Sequence, residues 1–290
     1  STARSTGPQG VATASDGTFW LAAPGNHQVY EVSPAGAIRL VAGTGIRGST
    51  GDLGPAALAT HAEPRARCYD EPNDYLYVLT GALATPGRLR RIDLGAADER
   101  ITTVVGGGTA TAPTYGDGGP GTLATFSSQG TDCEVASTGL VTFADGVRIR
   151  SFDPATDTVD LLFTTSPSSA AVRFLGCSSV RCFIALDAMD RVHVKGSFFA
   201  SAPLAMGGFN TGSLSTWGSA RFDPMTGLLT GVLGNARGSN ADGATIAETQ
   251  LLSGGDFVVR DDGSVCFNER FTTAVTRGTL LLKIYFLGPL

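Results

Sequence analysis

Lysine is nearly missing from this chain: it occurs only at Lys195 and Lys283, and charged residues of all kinds make up 16% of 290 residues, with a net charge of -5. Without a basic face nothing neutralises a phosphate backbone, which excludes a nucleic-acid partner. Long apolar runs are missing too. The most apolar stretch, 280–287, contains Lys283 and has the length of a strand, so no membrane span is expected and the chain should be soluble. Histidine is scarce, and no pair among His27, His61 and His193 has metal-ligand spacing, which argues against a zinc site. A Gly-x-Ser-x-Gly elbow, a paired Cys and His arrangement and a Walker-type phosphate loop are all lacking. No cofactor is therefore expected, and a nucleophilic enzyme has no visible machinery.

What is plentiful is glycine, with 39 residues, and proline, with 14. That composition suits many short strands joined by tight turns, hence an all-β class, and 290 residues suffice for a single β domain spanning 1–290. Five cysteines bear on the compartment. Cys177 and Cys182 are close enough for a local bridge, while Cys68 and Cys133 fall at matching places in successive repeats, at the start of an innermost strand, where a bridge between neighbours is geometrically conceivable. Cys266 is left over as a free core thiol. The two candidate disulfides favour an oxidising compartment, so the protein is expected to be secreted, extracellular or at the cell surface. The start at Ser1, without an initiator Met, fits a removed secretory leader and fits a trimmed terminus equally.

One eleven-residue phrase recurs five times, at 11–21, 68–78, 133–143, 184–194 and 257–267: an alternating run, a small polar turn and a second alternating run. Asp16-Gly17, Thr138-Gly139 and Asp262-Gly263 supply hairpin turns, since Gly tolerates positive φ and Asp bonds nearby backbone. A second pair of strands follows each of the first four hairpins, at 28–32 and 38–41, 88–92 and 101–105, 147–152 and 159–163, and 219–222 and 228–232. Ser33-Pro34, Asp153-Pro154 and Asp223-Pro224 mark turns within them. Four-stranded units at this recurrence match the blades of a β-propeller, with about five four-stranded blades. The connections between blades are long and carry Gly51-Asp52-Leu53-Gly54-Pro55, Gly116-Asp117-Gly118-Gly119-Pro120 and, loosely, Asn240-Ala241-Asp242-Gly243.

Val41-Ala42-Gly43-Thr44-Gly45 followed by Gly51-Asp52-Leu53-Gly54-Pro55, with Asn26-His27-Gln28 opening the third strand, resembles the long bacterial-type NHL repeat. The first three repeats carry the resemblance, over about half of the chain; the fourth lacks the Gly-Asp-Gly-Gly-Pro loop and only the first keeps Asn-His. The resemblance implies a propeller, and because that family is often six-bladed, a sixth blade has room at 196–216. It makes His27 a structural repeat residue. His193 takes the hairpin position held elsewhere by Trp20, Tyr77, Thr142 and Cys266, a packing role.

The fifth repeat has its hairpin and one further strand, 280–286, and lacks a fourth. An unpaired edge templates strand addition. Leu280, Leu282, Ile284 and Phe286 are therefore candidate assembly-edge residues, for a segment of another subunit or of further chain; closure by residues 1–7 is the alternative. Asp70, Glu134 and Asp187 are candidates for an axial carboxylate set, whereas Asp16, Asp74, Asp190 and Asp262 read as turn formers. The Gly-Asp-Gly-Gly-Pro loops have too few spaced oxygens for calcium and also read as turns. The expected function is a non-catalytic interaction or structural module whose partners are proteins or copies of itself. A metal-dependent hydrolase or lyase at the channel mouth is the first alternative. A carbohydrate-binding propeller is the second, weakened because Trp20, Tyr75, Tyr77 and Trp217 do not recur at one loop position.

Overall fold

Alternation of apolar and polar residues gives each strand one face to bury, and a polar turn every few residues lets consecutive strands pair with one another. The computed structural model describes residues 10–65, 67–82, 85–126, 130–164, 183–198, 216–223, 228–233, 257–259, 264–271 and 281–287. Their pairing is antiparallel throughout, and short 3-10 turns are the only helical pieces among them.

The chain divides into two compact units, Ser1–Leu162 and Phe163–Leu290. In the first, three sheets follow in sequence. Sheet one is β1 (Val11–Thr13), β2 (Phe19–Ala23), β3 (Gln28–Val32) and β4 (Ile38–Ala42). The second runs β6 (Arg67–Asp70), β7 (Tyr75–Ala82), β8 (Thr85–Asp93) and β9 (Arg100–Val105), and β5 (Gly54–Pro55) pairs onto the outer edge of β9. The third repeats this with β11 (Gly130–Val135), β12 (Val141–Asp145), β13 (Arg148–Asp153) and β14 (Thr158–Thr164), with β10 (Gly119–Pro120) on β14. The Gly-Asp-x-Gly-Pro segments thus do more than connect: each adds a fifth strand to the sheet that follows it.

In the second unit a four-stranded sheet joins β15 (Phe183–Leu186), β16 (Val192–Phe198), β17 (Thr216–Asp223) and β18 (Leu228–Leu233). A three-stranded sheet holds β19 (Phe257–Val259), β20 (Val265–Phe271) and β21 (Leu281–Leu287). Among the described residues four sheets carry four or five strands and the last has three, in line with a fifth repeat that has its hairpin and one further strand. Gly196 and Phe198 pair with Gly218 and Thr216 across β16 and β17, so the ends of the stretch set aside for a sixth blade belong to the fourth sheet; its middle lies outside the described residues.

Two buried clusters hold the first unit together. One packs Trp20, Val29 and Val41 of the first sheet against Leu76, Val78, Ile92 and Ile101 of the second. The other packs Tyr77, Leu79 and Leu89 of the second against Val141, Phe143, Phe152 and Val159 of the third. Successive residues of β7 therefore serve opposite neighbours, as the period of two requires.

Candidate functional site

Beginning with the loops, Asp52 and Asp117 are each engaged by an arginine of the third strand in the sheet that follows. Arg90 donates from Nη2 to Asp52 Oδ1 at 2.7 Å and to the Thr50 carbonyl at 3.1 Å, and from Nη1 to the Thr60 carbonyl at 2.9 Å. Arg150 repeats the set with Asp117 Oδ1 at 2.8 Å, the Tyr115 carbonyl at 3.3 Å and the Thr125 carbonyl at 3.0 Å. Arg148 also donates to Asp117 Oδ2. Both central guanidiniums are fully buried; burial pulls the Arg90 pKa down and the Asp52 carboxylate opposes it. Asp52 Oδ1 further accepts the Thr103 N–H at 3.0 Å. These carboxylates are committed to arginine.

Loop closure also needs glycine. Gly51 and Gly116 have φ of +91° and +90°, and a Cβ on either would stand 2.7 Å from the Cα of Ala59 or Ala124.

Cys68 and Cys133 are joined by a disulfide, with Cα atoms 5.6 Å apart. Their places in the repeat look equivalent in sequence but are not equivalent in register. Cys68 pairs with Tyr77, whereas Cys133 pairs with Phe143, the counterpart of Val78. In the second sheet the spare residue sits in a longer turn after Cys68, between Asp70 and Tyr75; in the third it is a bulge before Cys133, between Gly130 and Cys133. A one-residue offset turns a side chain to the other face. Cys68 thus faces the third sheet while Cys133 faces back toward the second, and the two meet. Cys177 and Cys182 lie outside the described residues, and Cys266 is described by its backbone alone, paired with Val258 and Phe286.

The proposed axial carboxylates do not converge. Asp187 is consumed locally: it accepts from Arg191 Nε at 2.7 Å and from the N–H groups of Met189 and Arg191, and contacts His193 Nε2 at 3.0 Å. Burial alone would raise its pKa, but these bonds outweigh it and the net shift is downward. His193 is buried and its pKa is lowered, first by burial. Glu134 lies in β11, partly exposed, opposite Thr142. His27, in left-handed backbone at φ 55°, accepts the Glu63 N–H on Nδ1 at 3.3 Å. His61 is fully buried with neither ring nitrogen hydrogen-bonded, and burial pushes its pKa down to about 3. Among the described residues, no three of His, Cys, Asp and Glu are grouped to hold a metal ion.

Asp70 belongs elsewhere. It lines an open cavity of about 370 Å³ between the hairpin turn of the second sheet, at Glu71, Pro72 and Asn73, and that of the third, at Ser137 and Thr138. Asp70 is the last residue of the inner strand β6, and the four-residue turn after it is closed by Asp74 at φ 54°.

On the last sheet, β21 pairs along its whole length with β20, from Val265↔Leu287 to Phe271↔Leu281, and the described residues place no strand on its other side. Leu282, Ile284 and Phe286 lie on this strand; Leu280 falls outside the described residues.

No protein-family model matches the chain, and no curated protein does. Solved structures do. A structural genomics protein of unknown function from Bacteroides thetaiotaomicron aligns with a TM-score of 0.56 and 14% identity over 95% of this chain and 58% of its own. A gluconolactonase from Xanthomonas campestris gives 0.51 and 11% over 97% and 75%, and TolB from Acinetobacter baumannii 0.51 and 10% over 96% and 51%. The fold is a β-propeller. At such identities the likeness carries the architecture and nothing of the chemistry. The chain spans less than two thirds of the Bacteroides and Acinetobacter structures, and as little as 26% of another match.

Proposed function

We propose that residues 1–290 form one NHL-like propeller domain that works as an extracellular or cell-surface interaction module and joins copies of itself through β21. The observation that carries this reading is the free side of β21, a seven-residue strand whose backbone pairs on one side only among the described residues. Edge addition suits this chain, because two of its own segments already do it: β5 on β9 and β10 on β14. The disulfide between Cys68 and Cys133 supports an oxidising compartment. The Gly-Asp-x-Gly-Pro loops support kinship with NHL repeats.

Size-exclusion chromatography with light scattering tests the reading. The expected result is a mass that rises with concentration above the 29.7 kDa of one chain. Proline at Ile284 and, separately, at Tyr285 should then discriminate, since of two neighbouring residues one directs its N–H toward β20 and the other outward. The outward substitution keeps the thermal midpoint and abolishes association. A 29.7 kDa species at every concentration would contradict self-assembly. Calcium or zinc is expected to leave the thermal midpoint unchanged; a large upward shift would favour the metal-dependent enzyme instead.

A further inference from the structure

We propose that β21 of one copy adds to the outer edge of β4 in the next, so that copies join head to tail. This rests on the reading of β21 as an assembly edge and names the surface that receives it.

The outer strands of the first three blades hold equivalent places. By register Ile38 of β4 corresponds to Ile101 of β9, and Leu40 to Thr103, because they pair with Val32 and Tyr30 as Ile101 and Thr103 pair with Ile92 and Arg90. In β14 the place of Ile38 is taken by Val159, which faces Gly119 as Ile101 faces Gly54. Ile101 and Val159 are fully buried, whereas Ile38 is 69% exposed and Leu40 37%. A cap accompanies the burial. Leu53 and Ala56 donate to the carbonyls of Ile101 and Glu99, and Gly118 and Gly121 to those of Val159 and Asp157. No strand among the described residues pairs with the outer side of β4. That edge therefore offers backbone groups and two apolar side chains to an added strand. Arg39, the residue between them, is drawn to Glu31 and Glu99 and does not guard the edge.

The occupant is not another Gly-Asp loop. Such a loop brings an aspartate that binds the Thr103 N–H and Arg90 in the second blade, and Arg150 in the third. Tyr30 stands where those arginines do, its hydroxyl donating to Gln28 Oε1 at 2.6 Å, and supplies no cation at that place. A plain apolar strand fits instead. β21 reads Leu-Leu-Lys-Ile-Tyr-Phe-Leu, and among the described residues its outer side carries no strand. Charge points the same way. One guanidinium, Arg39, faces two carboxylates, Glu31 and Glu99, which leaves the β4 edge net negative, and Lys283 is the only charged residue of β21. Pairing β21 with β21 would bring lysines together and supply no acid. Because donor and receiver are different strands, the contact is heterologous and repeats from copy to copy instead of stopping at two.

Light scattering on two proteins, each with one edge blocked, tests the pairing. Leu40→Pro removes the N–H that corresponds to the outward N–H of Thr103 and leaves the pairing with β3 in place. Should it disturb folding, Ile38→Lys sets a like charge against Lys283 from an exposed site. The expected result is that the β4 variant runs as a single chain of 29.7 kDa, as the outward β21 proline variant does. An equimolar mixture of the two retains one intact β21 and one intact β4, and should give a species of twice that mass and no larger one. Met189→Lys, at another exposed apolar residue, should associate as the parent does. β4 variants that associate like the parent, or a mixture that stays single, would overturn this pairing and leave assembly through β21 standing. A parent that never associates would remove both.

Discussion

Arg90 and Arg150 are fully buried cations, each engaged by an aspartate of the preceding loop, and Arg150 also pairs with the buried Asp145 at 3.3 Å. Removing a partner from such a pair costs more than the pair contributes, because the remaining charge stays out of water. Asp117→Ala removes the carboxylate that Arg148 and Arg150 share, leaving Arg150 with Asp145 alone, and should lower unfolding free energy by about 3–5 kcal/mol. Asp52→Ala, whose carboxylate is 36% exposed and serves one guanidinium, should cost less. Urea unfolding of the two variants checks the order. His61 offers a second test. It occupies the place that Phe126 fills in the next connection, and with a folded pKa near 3 against an ordinary 6.5 it is buried neutral. Between those values the unfolded chain binds the extra proton, so the stability present at neutral pH is lost as pH falls through that window, on the order of 3 kcal/mol by pH 4. His61→Phe should flatten the acid limb of a thermal-midpoint-versus-pH curve; an unchanged limb would refute the assignment. The aspartates of the loops were legible as turn residues, but their arginines were not, because 38 or 33 residues separate the partners. A signal was present within the chain: by strand register the place of Arg90 and Arg150 is Tyr30, Ala220 and Tyr285 in the other blades, so arginine stands there only after a full Gly-Asp-x-Gly-Pro loop.

Among elements, the disulfide is the covalent tie between inner strands β6 and β11, across a sequence separation of 65. A loop of that size corresponds to about 4 kcal/mol of restricted unfolded-state entropy. The Cys68→Ala, Cys133→Ala double variant, or the parent under reductant, should show a urea midpoint lowered to match, and an unaltered midpoint would mean the bridge does not form in solution. Strand positions were readable from alternation, as in β7, whose successive apolar residues are buried against opposite neighbours. The 65-residue spacing of the cysteines was equally readable, but the face each would take was not. That depends on where a spare residue is stored, in the Glu71–Asn73 turn or in the bulge before Cys133, and both solutions have the same length in sequence.

At the scale of the whole molecule, a propeller was legible because five alternating phrases recur, each too narrow to bury itself alone and each supplying a neighbour's missing surface. What a repeat pattern cannot encode is where the last sheet finds its next strand, since backbone groups on a free edge accept any extended chain of suitable register. The most direct measurement is an experimental density map of the native protein at a resolution that traces strands. Self-association predicts that the strand hydrogen-bonded to the free side of β21 belongs to a second copy. A strand there traced to residues 1–9 of the same chain would contradict it.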